Sequence, residues 1–391
     1  MSANFNNNLE KRLLSELKNI LSDSKIGIEK ESLRVINSSI SQKHHPNSLG
    51  SALFNRYITT DFSEAQLELV TPPTNKKYET LEFLEDIHHF VSSNIDDEIL
   101  WPFSIPTLIN NEEDISIANY GSSNLGIFKK TYRKGLSLRY GRLMQSISGI
   151  HYNYSLPESF WQSEFINNNS ENSMEIRSSA YFNMLRNIYR MNWLILYLFG
   201  ASPIITKSFI ATNNQSLKQL DFDSQTYYLP YATSLRMSDF GYSNAIRNNL
   251  KVSMASLKEY VSDLRKATST PFDDFLEIDE HQQQINANVL QIDDEYYAIA
   301  RAKSATLSNL RTTSKLTHGG VDFIELRSLD LNPYSRIGID KETLFFLESF
   351  LIYCFVKQGP KFTDNEIKEI NQNDSMSHGT EINLVQNRYY T

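Results

Sequence analysis

Four short apolar segments of this chain carry a polar side chain at every second position, and that period belongs to strands, not helices. In Gly27-Ile-Glu-Lys-Glu-Ser-Leu-Arg-Val35, Glu29 and Glu31 stand two apart. Both carboxylates then share one strand face, with Ile28 and Lys30 on the other. Glu64, Gln66 and Glu68 repeat the pattern against Leu67 and Leu69, and Pro72 and Pro73 stop the run. His151 and Asn153 do so a third time, and Glu325 and Arg327 a fourth, inside Phe323-Ile-Glu-Leu-Arg-Ser328. If these strands join one sheet, one of its faces is apolar and the other holds Glu, His and Arg.

The rest of the chain sets helices among these strands. Leu9, Leu13, Leu17 and Leu21 recur at i, i+4 and predict an amphipathic opening helix, and 78–91, 178–198, 253–266 and 341–356 read as helices. Strands are expected at 146–155, 285–292, 296–302 and 321–329. This order lacks the regular strand–helix alternation of a doubly wound fold, so the class is α+β, with an antiparallel or mixed sheet flanked by helices. With 391 residues, 40% of them hydrophobic, the chain can bury a large core, and no low-complexity linker divides it. Residues 1–391 are expected to form a single catalytic unit with helical insertions.

A formal net charge of -8 disfavours a sequence-independent grip on nucleic acid, which basic surface would have to supply. Cys354 is the sole cysteine, so no intrachain disulfide can form and a reducing compartment fits. The amino terminus lacks the basic and apolar regions of a signal peptide. The most apolar stretch, around Trp193 to Ile205, is shorter than the roughly 20 residues of a membrane helix and contains Gly200 and Pro203. A cytoplasmic location without membrane attachment is expected.

Phosphate-loop, dinucleotide-binding, zinc-hydrolase and serine-hydrolase motifs are all missing from the sequence. What remains is the acidic face. Two unit charges 4 Å apart repel by roughly 4 kcal/mol at an effective dielectric near 20, so crowded carboxylates call for a cation or a proton. An oxygen-rich set with one imidazole suits Mg²⁺ or Mn²⁺, and Mg²⁺ commonly brings substrate phosphates. Arg133, after Lys129-Lys-Thr-Tyr132, and Arg236, after Tyr227-Tyr-Leu-Pro-Tyr-Ala-Thr-Ser-Leu235, each set a guanidinium beside aromatic residues, where it can hold a carboxylate or phosphate. Tyr132 and Tyr242 are candidates to shape a small pocket. The pairs His44-His45 and His88-His89 are read as non-catalytic, Glu85 being the one carboxylate well placed for either.

The same segments carry a family resemblance, together with Tyr57-Ile-Thr-Thr-Asp-Phe-Ser-Glu-Ala-Gln-Leu-Glu-Leu-Val-Thr-Pro72, Trp101-Pro-Phe-Ser-Ile-Pro106, Tyr120-Gly-Ser-Ser-Asn124 and Tyr140-Gly-Arg-Leu-Met-Gln-Ser-Ile-Ser-Gly-Ile-His-Tyr-Asn-Tyr-Ser155. From about Leu9 to about Val356 the chain resembles the proteobacterial glutamate-cysteine ligases. The resemblance implies a glutamine-synthetase-like sheet with ATP and Mg²⁺ over a concave face, and ATP-dependent joining of glutamate to cysteine. It implies Glu29, Glu31, Asp61, Glu68, His151 and Glu325 as metal ligands and Arg133 and Arg327 at the transferring phosphate. Arg236 and Gln145 would meet glutamate, and Tyr132 and Tyr242 the cysteine. Family members continue with further helices, whereas 361–391 is polar and Asn-rich, so a shortened helical support is expected. A ligase with another amine acceptor, an inactive Mg-ATP-binding homologue and a paired-carboxylate glycosidase are the rival readings; the last leaves the arginines and His151 without a role.

Overall fold

The structure, a computed structural model, describes residues 15–162, 173–210, 217–238, 240–241, 250–277, 283–306 and 310–377. The four alternating segments do share a sheet. Strands β1 (Lys25–Ile36), β2 (Ile58–Thr60), β3 (Gln66–Val70), β4 (Ile150–Ser155), β5 (Ala300–Lys303) and β6 (Phe323–Leu329) lie side by side in the order β5-β6-β4-β1-β3-β2. Each neighbouring pair is antiparallel. Short strands Ser39–Ile40 and Ile99–Leu100 pair with the far end of β1, and Ile204–Thr206, Asp223–Tyr228 and Lys218–Leu220 form a smaller sheet. With the helices, this is an α+β fold.

Alternation decides which way the sheet faces. Ile26, Ile28, Leu67, Leu69, Tyr152 and Leu326 turn to one side and pack with Leu84 and Val91 of α1 (Lys77–Ser92). Leu185 and Ile188 of α4 (Ser173–Phe199) and Leu347 and Leu351 of α5 (Lys341–Val356) complete that layer. Burying one such side chain contributes about 1.5–3 kcal/mol, so a one-residue slip of β3, which would expose Leu67 and Leu69 and bury Glu68 among leucines, is strongly disfavoured. Register is therefore set by the apolar face, and the polar face inherits it.

Across the polar face, the register sets Glu29 opposite His151, Glu31 opposite Glu68, and Glu325 opposite both Asn153 and Arg301. Over one end of this face lies α2 (Asn124–Tyr140), capped by Ser123, whose side chain accepts from the Gly126 amide. Leu136 of α2 packs with Leu33, Val35 and Phe62, which fixes the helix against β1 and the β2–β3 turn. The chain then turns at Gly141 (φ 77°), a left-handed conformation that favours glycine, into the single helical turn α3 (Arg142–Gln145).

Several expectations about strands need correction. Residues 285–292 form no strand: Gln291 Oε1 accepts from the Ile285 amide, Asn286 Nδ2 donates to the Gln291 carbonyl and Asn286 Oδ1 accepts from the Asn288 amide. These side chains take backbone groups that a ladder would need. The strand expected at 146–155 begins at Ile150 and that at 296–302 at Ala300. Glu64 precedes β3, and its carboxylate accepts from the His45 and Asn119 amides instead of joining Glu68; His44 Nδ1 lies 3.6 Å from it. In the polar carboxyl-terminal stretch a helix runs over Asp364–Ser377 and ties back to α4 through Arg190 and Glu366, 2.6 Å apart. The opening helix is present over 15–23, and Leu9 and Leu13 lie outside the described residues.

Candidate active site: carboxylates around one imidazole

His151 stands at the centre of the polar face. Its Nδ1 lies 3.1 Å from Glu29 Oε2 and 3.6 Å from Glu325 Oε1, and its Nε2 lies 3.3 Å from Glu31 Oε1. Glu29, His151 and Glu325 offer atoms all within 4.8 Å of one another, a spacing fit to enclose one metal ion. Strands fix these distances without loops: Glu29 and His151 are cross-strand partners, and Glu325 reaches in from β6. Asn153 Nδ2 donates to Glu29 Oε1 at 2.9 Å, and the Gly149 amide donates to Glu31 Oε2 at 2.9 Å.

Beside this group lies a second acidic set, Glu31, Glu68 and Asp61. Burial pushes Glu68 well above the usual carboxylate range, and Glu29, Asp61 and Glu31 add to the rise. Burial raises Glu31 too, with Asp61 contributing and His151 opposing. For Glu325 burial works against ionisation, yet Lys303, Arg327, Arg301 and His151 outweigh it and hold the carboxyl well below its ordinary value. Glu29 is lowered more gently: burial opposes most strongly, and the His151 hydrogen bond, the His151 charge and Lys303 together outweigh it. Negative charge on this face is thus compensated at the β5–β6 end and left in surplus at the β1–β3 end.

A hard dication fits these residues. The donors are carboxylate oxygens with a single imidazole, the set that suits Mg²⁺ or Mn²⁺. Among the described residues, buried Glu325 Oε2 accepts no hydrogen bond, although Lys303 Nζ stands 3.3 Å away.

Guanidinium groups border the cluster on both sides. Arg327 Nη1 donates to Glu325 Oε1 at 2.9 Å, and Arg133 hydrogen-bonds the Asp61 carbonyl from the other end. Arg236 is buried at 1% exposure, with Nη2 donating to the Arg327 carbonyl at 2.9 Å and Asp330 Oδ1 3.8 Å from Nη1. Gly149 permits that position, since a Cβ there would stand 2.1 Å from Arg236 Nη2. Gln145 accepts from the Tyr297 hydroxyl through Oε1 at 2.7 Å, leaving Nε2 buried without a hydrogen-bond partner among the described residues. Tyr132 is on α2, with its hydroxyl pushed up by burial and by Glu295; Tyr242 lies outside the described residues.

Sequence reasoning missed Tyr297, Lys303 and Asp330. Lys303 was open to the two-residue spacing, as it follows Arg301 on β5. Tyr297 and Asp330 join the site from loop and strand-end positions that no periodicity marks.

Fold and site together define a class: an α+β protein whose antiparallel sheet presents a carboxylate–imidazole group of the kind that holds a metal ion, bordered by arginines. The model of the family "Glutamate-cysteine ligase" matches residues 11–376. A glutamate–cysteine ligase of Aliivibrio fischeri (strain MJ11) is 46% identical over 349 residues, covering 87% of this chain and 66% of the relative. The crystal structure of a Francisella tularensis glutamate–cysteine ligase in complex with AMP superposes with TM-score 0.84 at 38% identity, over 91% of this chain and 71% of that one. A bifunctional glutathione synthetase of Pasteurella multocida matches with TM-score 0.76 at 25% identity, over 95% and 44%. The chain belongs to the glutamate-cysteine ligase family, and it spans just under two thirds of the length of the curated Aliivibrio relative.

Proposed function

We infer that the chain catalyses ATP-dependent ligation of the L-glutamate γ-carboxylate to the amine of L-cysteine through a γ-glutamyl phosphate, the first step of glutathione biosynthesis. The observation that carries this reading is the register that gathers Glu29, Glu31, Glu68, His151 and Glu325 on one face between Arg133 and Arg327. Family membership supports the substrates, and the AMP complex of the Francisella relative supports an adenine nucleotide.

A carboxylate resists attack by an amine because oxide leaves poorly. In the proposed reaction a γ-carboxylate oxygen attacks the terminal phosphorus of ATP and ADP departs. The cysteine amine then attacks the acyl carbonyl, loses a proton and expels phosphate. No nucleophilic side chain is required, so the work of the protein is positioning and charge compensation. Arg133 and Arg327 meet the phosphoryl group in transfer, each able to present a planar fork to its oxygens. Arg236 and the Nε2 of Gln145 hold glutamate, while Tyr132 and Tyr242 border the acceptor. Glu29, His151 and Glu325 would hold one Mg²⁺ or Mn²⁺, and Glu31, Asp61 and Glu68 a neighbouring one; when bound, such ions offset charge on the phosphates. The chain acts as a single catalytic unit in the cytoplasm, on small molecules and not on nucleic acid or membrane. Among the described residues no helix is long and apolar enough to cross a membrane.

The test is a coupled ADP-release assay with each component omitted in turn. ADP is expected only when glutamate, cysteine, ATP and Mg²⁺ are all present. No ADP from the complete mixture, or far more from glutamate alone than from the complete mixture, would overturn the reading.

A further inference from the structure

Helix α2 carries a second cation next to the arginine it aims at the acidic face. Lys129 precedes Arg133 by four residues, the spacing that makes side chains neighbours on a helix. Both lie over one ring: Lys129 Nζ is 5.1 Å and Arg133 Cζ 4.8 Å from the centre of Tyr120. That ring is anchored, because Tyr120 is buried, its hydroxyl donates to the Thr60 carbonyl at 2.9 Å and Thr60 Oγ1 donates to it at 3.0 Å. Arg133 is anchored as well, through the carbonyls of Asp61 and of Lys129 itself.

Two like charges at this spacing repel, and long side chains normally part into water. Here they are half-buried side by side, and among the described residues no carboxylate forms an ion pair with Lys129. Burial and then Arg133 hold its ammonium below the usual lysine range, and Glu68 and Asp61 oppose that shift without binding it directly. A lysine serving only to balance those acids would close onto one of them. Paired cations over a fixed ring, at the edge of a dication-type site, make a seat for an anion with adjoining charged groups.

We propose that Lys129 is a second phosphate-binding residue of the site, holding the β-phosphate of the nucleotide while Arg133, one helical turn on, meets the phosphoryl group in transfer. The proposal rests on the ligase reading and deepens it. A compact ammonium with three rotatable donors suits a phosphate that stays on the nucleotide, and a planar fork suits one that changes geometry.

Calorimetric titration of ADP and of AMP, each with Mg²⁺, tests it on the full chain. Lys129→Gln is expected to weaken ADP by about tenfold or more, the loss of a charge-assisted contact, while AMP, which lacks the β-phosphate, is unchanged. Lys129→Arg is expected to recover part of the loss. Lys130→Gln, the same charge change at the exposed neighbour, is expected to stay within about twofold. Equal ADP affinity in Lys129→Gln and the unsubstituted chain would overturn the proposal alone, as would an equal loss for AMP and ADP. A lowered melting temperature with ADP affinity intact would reduce the lysine to a packing role and overturn it too. If the unsubstituted chain bound neither nucleotide, the ligase reading would fall and this proposal with it.

Discussion

Two ends of the same strand treat buried charge in opposite ways. Near the far end of β1, Arg34 Nη1 donates to both oxygens of Glu98, at 2.7 and 3.0 Å, and Nη2 donates to the Lys43 and Glu64 carbonyls. Cation and anion are matched one to one, with side chains 0% and 1% exposed. Three residues earlier, Glu31 shares His151 with Glu29 and faces Glu68 directly across the ladder. The difference separates architecture from function: a buried pair whose charges match holds loops together, whereas buried carboxylates in surplus are tolerated only where something else brings positive charge.

Breaking the matched pair is expected to have the largest effect. Arg34→Met strands Glu98 in the interior and should lower unfolding free energy by about 3–5 kcal/mol in urea denaturation, with no dependence on divalent ions. A loss within experimental error would erase the distinction between the two ends. Glu31→Gln should do the reverse, sparing stability while cutting ADP formation by about a thousandfold, roughly 4 kcal/mol of transition-state stabilisation. Near-normal turnover in that variant would remove the metal assignment. Arg327→Lys keeps the charge and loses the fork, so kcat should fall by about a hundredfold with a smaller change in KM for ATP. An unchanged kcat would argue against a phosphate contact.

The smallest effect concerns proton binding at Glu68 without divalent ions. Its folded-state pKa is raised, by burial first and by Glu29, Asp61 and Glu31 next, so the folded chain binds this proton more tightly than the unfolded one. Its contribution to stability is then complete below the unfolded pKa near 4.5 and lost as pH rises through the folded value. Glu68→Gln should flatten that part of the pH–stability curve, and saturating Mg²⁺ should flatten it in the unsubstituted chain. A decline with pH of the same slope in Glu68→Gln would assign it elsewhere.

Much of this arrangement was legible in the chain because a period of two is hard to mistake when both faces are committed. Leu67 and Leu69 against Glu68, and Ile28 against Glu29 and Glu31, state the two faces outright. Even Lys30, which alternation sends to the apolar side, is there at 2% exposure, and burial depresses its ammonium to about 7. The roles proposed for Asp61, Gln145 and Arg236 rest on the family resemblance, since these residues stand on turns, loops or the single helical turn α3, with no repeating pattern. Residues 285–292 misled because β-branched and apolar residues outweighed Asn286, Asn288 and Gln291, whose side chains bind local backbone. The Arg34–Glu98 pair was invisible for another reason: its partners are 64 residues apart and meet only in the folded chain.

The surplus of carboxylate on the polar face is the claim on which the account turns, and manganese binding measures it most directly. Titrated by electron paramagnetic resonance into the metal-free chain, Mn²⁺ is expected to bind, to bind more tightly when ADP is present, and to lose the share of binding that Glu31, Asp61 and Glu68 supply in Glu31→Gln. Identical isotherms for the unsubstituted chain and Glu31→Gln, with or without ADP, would contradict it.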